Sequence, residues 1–201
     1  MIHIVDIGAW PEGVPPYTPL LDARLARLTT FDPQNDDDFA LGDGRPATLN
    51  ICAYPGWTSL LKPNIELLKH LPSSGAWEVR RRLPIETRRL DDLPLDPIDF
   101  LKLDVQGSEL VILQNGHEKL RGCSAIHIEL TFVPLYESQP LYWEVDSELR
   151  SQGFDLRTIT STRSCGGQLI ELDAVYVRPL GEHSSTIIQH CYPISKVEKA
   201  A

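Results

Sequence analysis

DFLKLDVQGSELVILQNG, residues 99–116, reads as a strand that stops at a carboxylate, turns on a glycine and runs directly into a helix. The β-rich run 98–105 brings Asp104 to the strand end. Residues 107–115 are predicted as the helix, with Ser108 where an N-cap belongs and Gly116 as a C-cap. Strand, tight turn and helix in that order build parallel sheets, and in an open parallel sheet ligands bind outside the carboxyl ends of the strands. Asp104 therefore has two readings: a carboxylate facing a ligand, or a cap on the backbone amides of the helix that follows.

Outward from this unit, short apolar runs alternate with helical patterns, which predicts an α/β fold with a largely parallel sheet. Strands are expected at residues 3–7, 29–32, 47–53, 124–132, 154–159 and 172–178, with one or two extended segments across 77–90. Helices are expected at 20–28, at 59–71 with Pro63 interrupting the start, and at 142–152 closed by Gly153. The 201 residues, 42% of them hydrophobic, suit one domain, residues 1–180, followed by a polar tail, 181–201, expected to be partly disordered.

With 28 acidic and 19 basic residues the chain carries a net charge of -9, a poor match for nucleic acid. The basic run Arg80, Arg81, Arg82, Arg88 and Arg89 reads as a solvated strand face. Cys52, Cys123, Cys165 and Cys191 form no C-x-x-C pair, which speaks for free thiols rather than a zinc site or a disulfide framework. No run approaches ~18 apolar residues, and the opening MIHIVDIGAW has no basic leader. No membrane partner is expected, and the expected location is cytoplasmic.

The strand ends are acidic: Asp6 two residues before Gly8, then Asp32, Asp104, and Glu129 near the end of its strand. An acid one strand after a glycine turn holds ribose in nucleotide-type sites, because a carboxylate accepts two hydrogen bonds from a cis-diol. Asp32 fits that role. The D-x-G of residues 6–8 is not followed by the G-x-G-x-x-G that a pyrophosphate needs: Trp10 stands where the second glycine belongs, and Glu12 where phosphate charge arrives. This argues against NAD and FAD and leaves room for a nucleoside without phosphate, S-adenosylmethionine being the obvious one.

VDIGAWPEGV at the start, FDP at 31–33, PGWTSLLKPN at 55–64, the block at 99–116, IELTFVPLYESQPL at 128–141 and ELDAVYVR at 171–178 together resemble the FkbM-type methyltransferases. The resemblance implies a class I, S-adenosylmethionine-dependent methyltransferase fold, a Rossmann-like seven-stranded, mostly parallel sheet with helices on both faces. Such enzymes methylate hydroxyl groups of sugars or other natural products. Carried over by position, Asp6, Gly8 and Ala9 border the methionine end of the cofactor, Asp32 replaces the usual glutamate on the ribose, and Asp104 and Gln106 lie where cofactor and acceptor meet. Gly42 and Asp43 contact adenine if the third strand ends there. One departure is that only residues 34–39 separate the acid after strand two from the next strand, whereas a parallel crossover takes a dozen or more.

Methyl transfer from a sulfonium to a hydroxyl is an in-line displacement that needs the reacting atoms about 3 Å apart, with a placed base adding ~10²- to 10⁴-fold. Asp104 is the first candidate to orient or deprotonate the acceptor. His127 and Glu129 share a strand face; Glu129 reads as a second catalytic carboxylate and His127 as a buried structural residue. Mg²⁺ on Asp104 and Glu129 lacks a third ligand, so no metal is expected. Ser59 and Lys62 are candidates for substrate contact, Ser59 alternatively as a plain N-cap. Trp10, Trp57 and Tyr136 are candidates to stack on a sugar, and Glu109 to face the helix dipole. The function that follows is an S-adenosylmethionine-dependent O-methyltransferase acting on a saccharide or similar small molecule. The alternatives are a cofactor-binding module without turnover and, against the broken glycine pattern, a nicotinamide-dependent oxidoreductase.

Overall fold

The structure, a computed structural model, describes residues 1–9, 13–35, 38–71 and 74–193. Trp10 and Glu12 lie outside the described residues. The chain runs β1 (Ile2–Ile7), α1 (Thr18–Asp22), β2 (Ala26–Phe31), β3 (Phe39–Leu41), β4 (Ala47–Cys52), α2 (Ile65–Leu68), β5 (Val79–Arg88) and β6 (Phe100–Leu103). It continues through α3 (Glu109–Gln114), α4 (His117–Leu120), β7 (Ala125–Thr131), α5 (Tyr142–Ser151), β8 (Asp155–Cys165), β9 (Gln168–Val177) and α6 (Ser184–Cys191).

Six strands form one sheet in the order β2-β1-β6-β7-β9-β8, parallel throughout except for β9, which runs against both its neighbours. Alternation of side chains gives the sheet two apolar faces. Val5, Leu101, Ile126 and Tyr176 pack against Ile112 and Leu113 of α3, Leu120 of α4 and Leu149 of α5. On the opposite face Ile4, Phe100 and Ala125 meet Tyr17, Leu20 of α1 and Ile187 of α6. No helix among the described residues is long and apolar enough to cross a membrane.

The expected seventh strand does not join this sheet. Too few residues follow β2 for a parallel return, so β3 pairs in parallel with β5 instead, and β4 pairs antiparallel on the other side of β5, in a separate three-stranded sheet. Other boundaries move for local reasons. The helix expected at 20–28 ends at Asp22, because Ala26 is already in register with Ile2 as part of β2. The helix expected at 59–71 shrinks to α2, begun after Pro63 by Asn64, whose side-chain oxygen accepts from Leu67 N. Strands β8 and β9 extend toward each other and close on Gly166 and Gly167, both at positive φ (56° and 81°), the two-residue turn that matches strand twist.

Residues read as a tail carry α6. Ile187 is fully buried against the sheet, and the Ser184 hydroxyl lies within hydrogen-bond distance of the carbonyls of Ser124 and Arg178. Polar neighbours hid the isoleucine in the sequence. Residues 194–201 of that stretch lie outside the described residues. Ile187→Ala is expected to lower unfolding stability by about 2 to 4 kcal/mol, read from urea denaturation, as for a side chain removed from a packed core.

Candidate active site

The chain leaves β1 for β2 on one side and returns to β6 on the other, so the order reverses between β1 and β6, the place where open α/β sheets form ligand crevices. There Gly8 N donates to Phe31 O (2.8 Å) and Asp104 N to Ile7 O (3.1 Å). Gly8 has φ +82°, and a Cβ on it would fall 1.7 Å from the Asp104 carbonyl oxygen. Only glycine permits this approach, and it sets Asp6 and Asp104 beside each other at the strand ends.

Asp6 is buried, 2% exposed, and its Oδ2 accepts from the Tyr17 hydroxyl (2.6 Å). Its Oδ1 lies 3.2 Å from Lys102 Nζ, an ionic contact not aligned as a hydrogen bond, which leaves that oxygen without a hydrogen-bond donor among the described residues. Lys102 Nζ also donates to Gly8 O (3.2 Å) and stands 3.8 Å from Asp104 Oδ2. Burial disfavours the ammonium, but Asp104 and Asp6 more than offset it and hold its pKa above the ordinary lysine value.

The turn after β6 bears on the capping reading of Asp104. Its Oδ1 accepts from Gln106 Nε2 (2.9 Å), and its carboxylate caps nothing. The expected cap at Ser108 makes no side-chain bond either. Instead Glu109, buried at the start of α3, accepts from Val105 N (3.0 Å) and from Gly107 N with both oxygens (3.1 and 3.0 Å), so one carboxyl organises the whole turn. Gly116 begins α4 rather than capping α3; a Cβ there would meet Leu90 at 2.7 Å.

Gln106, at φ +59°, is the hub of a second network. Its Nε2 donates to Asp104 Oδ1 and Glu129 Oε2, both 2.9 Å; its Oε1 lies 2.9 Å from the Tyr136 hydroxyl, and its carbonyl accepts from Ser59 Oγ (2.7 Å). Burial, and then the Asp104 carboxylate, push Glu129 well above the usual carboxyl range. The two carboxylates thus share an amide donor that a cation would have to displace. Among the described residues no cluster of three or more His, Cys, Asp or Glu forms a metal site.

Two cavities meet at Gly8. The larger, about 940 Å³, opens over the sheet face bearing Asp6, Lys102, Asp104, His127 and Asp173. The smaller, about 50 Å³, is walled by Gly8, Asp32, Phe39, Leu41, Thr58 and Val105. Asp32 is buried, and its Oδ1 accepts from Gln34 N (2.7 Å). Ala9 borders this region through its carbonyl, which accepts from Asn35 Nδ2 (3.1 Å).

Other candidates are placed elsewhere. Gly42 is buried beside Thr87, and Asp43 is exposed and paired with Arg45; neither lines either cavity. Ser59 is buried with its hydroxyl committed to Gln106 O and Leu61 N, at a position where no helix starts for it to cap. Tyr136 is buried, and Trp57 and Tyr136 belong to a satellite core around Trp77: Trp57 stacks on it at 4.1 Å and Tyr136 meets it edge-on at 5.6 Å. Lys62 is exposed and lines neither cavity. The sequence reading missed Lys102, Asp173 and Tyr192 and took His127 as structural. The available signal was polar residues within apolar strand runs that fall in register on a single face (Asp6 with Lys102, Lys102 with His127).

Residues 17–156 match the family model for the methyltransferase FkbM domain. Among curated proteins none matches the chain. The matched stretch includes Asp32, Lys102, Asp104, Glu109, His127 and Glu129, and leaves Asp6, Gly8, Asp173 and Tyr192 outside it.

Burial raises the Glu109 carboxyl from 4.5 to about 7 in spite of its backbone donors. A raised folded-state pKa means that its contribution to stability is complete below about pH 4.5 and is lost as pH rises through about 7. Glu109→Gln is expected to flatten that decline in urea unfolding between about pH 4.5 and pH 7.

Proposed function

The chain belongs to the FkbM methyltransferase family, and from that premise we propose that it is an S-adenosylmethionine-dependent O-methyltransferase acting on a hydroxyl of a saccharide or other small natural product. The observation that carries this reading is Gly8, which walls both cavities at the β1/β6 reversal with Asp104 against it. A six-stranded, mostly parallel sheet with helices on both faces is compatible with a methyltransferase fold; its reversal between β1 and β6 supports the class I, Rossmann-like form.

The residues fit such a cofactor in kind. Asp6 Oδ1, buried without a hydrogen-bond donor, suits the ammonium of its methionine end; Gly8, which walls both cavities, carries no side chain into either; Asp32 at the end of β2 suits a ribose diol. The fit in volume is incomplete at the nucleoside end: about 50 Å³ is well short of the ~300 Å³ or more of ordinary ligand pockets, so Phe39–Leu41 must draw back on binding. When bound, the cofactor supplies an electrophilic methyl group on a sulfonium.

The protein's own part is to position and to remove a proton. Asp104 lines the large cleft, where its carboxylate accepts the hydroxyl proton of the acceptor. Lys102 and Gln106 fix that carboxylate from two sides, and Glu129, held toward its neutral form, keeps a second negative charge from competing. Carboxylates and amide donors suit a hydroxylated acceptor. A second reading, a cofactor-binding module without turnover, is favoured by the small nucleoside cavity and the short crossover after β2.

Calorimetric titration with S-adenosylhomocysteine tests the assignment: micromolar binding, lost in Asp32→Ala, is the expected result, and no binding by folded protein would sink it. With an acceptor in hand, Asp104→Asn should lower kcat about 10²- to 10⁴-fold with cofactor affinity unchanged. Binding without product across acceptors would favour the module.

A further inference from the structure

On the floor of the large cleft, away from Asp104, three polar side chains from three elements stand in a row. His127 of β7 places Nδ1 2.7 Å from the hydroxyl of Tyr192, which follows α6, and Nε2 3.8 Å from Asp173 Oδ1 of β9. All three line the cleft. The 3.8 Å separation exceeds hydrogen-bond length, so Asp173 acts on the ring as a neighbouring charge. Asp173 is itself oriented by Ser161 Oγ (2.5 Å). With Nε2 protonated, Nδ1 is an acceptor and the phenol donates to it, so the arrangement is a hydroxyl, a base and an orienting acid.

The charged and titratable groups around His127 favour this use. Lys102 is its cross-strand neighbour on β6, held by Asp6 and Asp104; Arg157 from β8 and Cys191 from α6 line the same cleft. Asp173 is the acid within ion-pair distance of the ring. Burial raises its carboxyl, yet the neighbouring His127 ring and the Ser161 hydroxyl bring it below the usual range, so it stays negative beside the imidazole.

We infer that Asp173, His127 and Tyr192 form a proton relay opening on the cleft, a second proton-accepting site besides Asp104. The Tyr192 oxygen takes the proton of a ligand hydroxyl as its own proton passes to His127 Nδ1; the resulting imidazolium is held by Asp173, and the ligand oxygen is left as the alkoxide. One O–H bond breaks in the ligand and one forms at Tyr192, while the original Tyr192 O–H bond breaks and one N–H bond forms at His127. As the site of an acceptor, this rests on the methyl-transfer reading and gives the cleft a second place, besides Asp104, at which a hydroxylated acceptor can lose a proton.

The relay is testable without turnover, because His127 should make Tyr192 nucleophilic toward 4-(2-aminoethyl)benzenesulfonyl fluoride. The phenolic oxygen bonds to sulfur, fluoride leaves, and the proton goes to His127. Peptide mass spectrometry should show Tyr192 labelled on the order of tenfold or more faster than Tyr142, with that advantage lost in His127→Gln and reduced in Asp173→Asn. The comparison of Tyr192 with Tyr142 within the wild-type chain needs no variant to fold. Labelling that is no faster than at Tyr142, or that is unchanged in His127→Gln, would overturn the relay. Labelling as expected with no S-adenosylhomocysteine binding would instead sink the methyl-transfer reading and leave the relay standing.

Discussion

Two opposite charges on adjacent parallel strands, the buried Asp6 and the part-buried Lys102, lie in the sheet between the apolar packing of α1 and α6 and the open cleft. Desolvating them is expensive unless each finds further partners. Tyr17 supplies one to Asp6, and Gly8 O and Asp104 supply two to Lys102. Those partners are also what fixes the site: the first tethers the approach to α1, and the others hold the loop after β1 against the end of β6. Removing Lys102 leaves the Asp6 charge buried with the Tyr17 hydroxyl as its remaining partner, so the pair is a constraint on geometry more than a source of stability.

The same constraint explains how the two cavities differ. Over the face with Lys102 and His127 the covering helices reach only the lower half of the strands, where Ile4, Phe100 and Ala125 are. The polar upper half is left uncovered as a wide cleft. Past Gly8, the β3-β5-β4 sheet brings Phe39 and Leu41 down beside Asp32, and the space there closes.

What the sequence made legible was local. The strand at 98–105, its carboxylate and the following helix could be read because apolar run, turn glycine and helical spacing all lie within twenty residues. The place of Asp104 at a strand end followed from strand position alone, whereas the bond of Glu129 to Gln106 did not. What stayed hidden depended on distant partners. Ser59 and Tyr136 carry the residue types of a substrate site but spend their hydroxyls on Gln106. Tyr192 was lost in a segment whose composition reads as a tail, though one buried isoleucine and one phenol tie it to the sheet. The destination of β3 was half legible: the short crossover forbade the expected place but did not name β5 as the alternative.

The sheet order also sets a timetable. β1 is made first, yet one of its two neighbours, β6, pairs Phe100 with Ile4 across nearly a hundred residues. The strand between β7 and β8 is the last of the six to be synthesised. At about 5 to 20 residues per second, β1 waits on the order of 5 to 20 s after synthesis for β6 to appear, with its buried aspartate still lacking its lysine. Pairings of such sequence separation close slowly, since loop entropy must be met before contacts form. Until β6 is made the β1 segment therefore lacks its inner neighbour, and the ion pair that anchors the finished site is among the later contacts to be made.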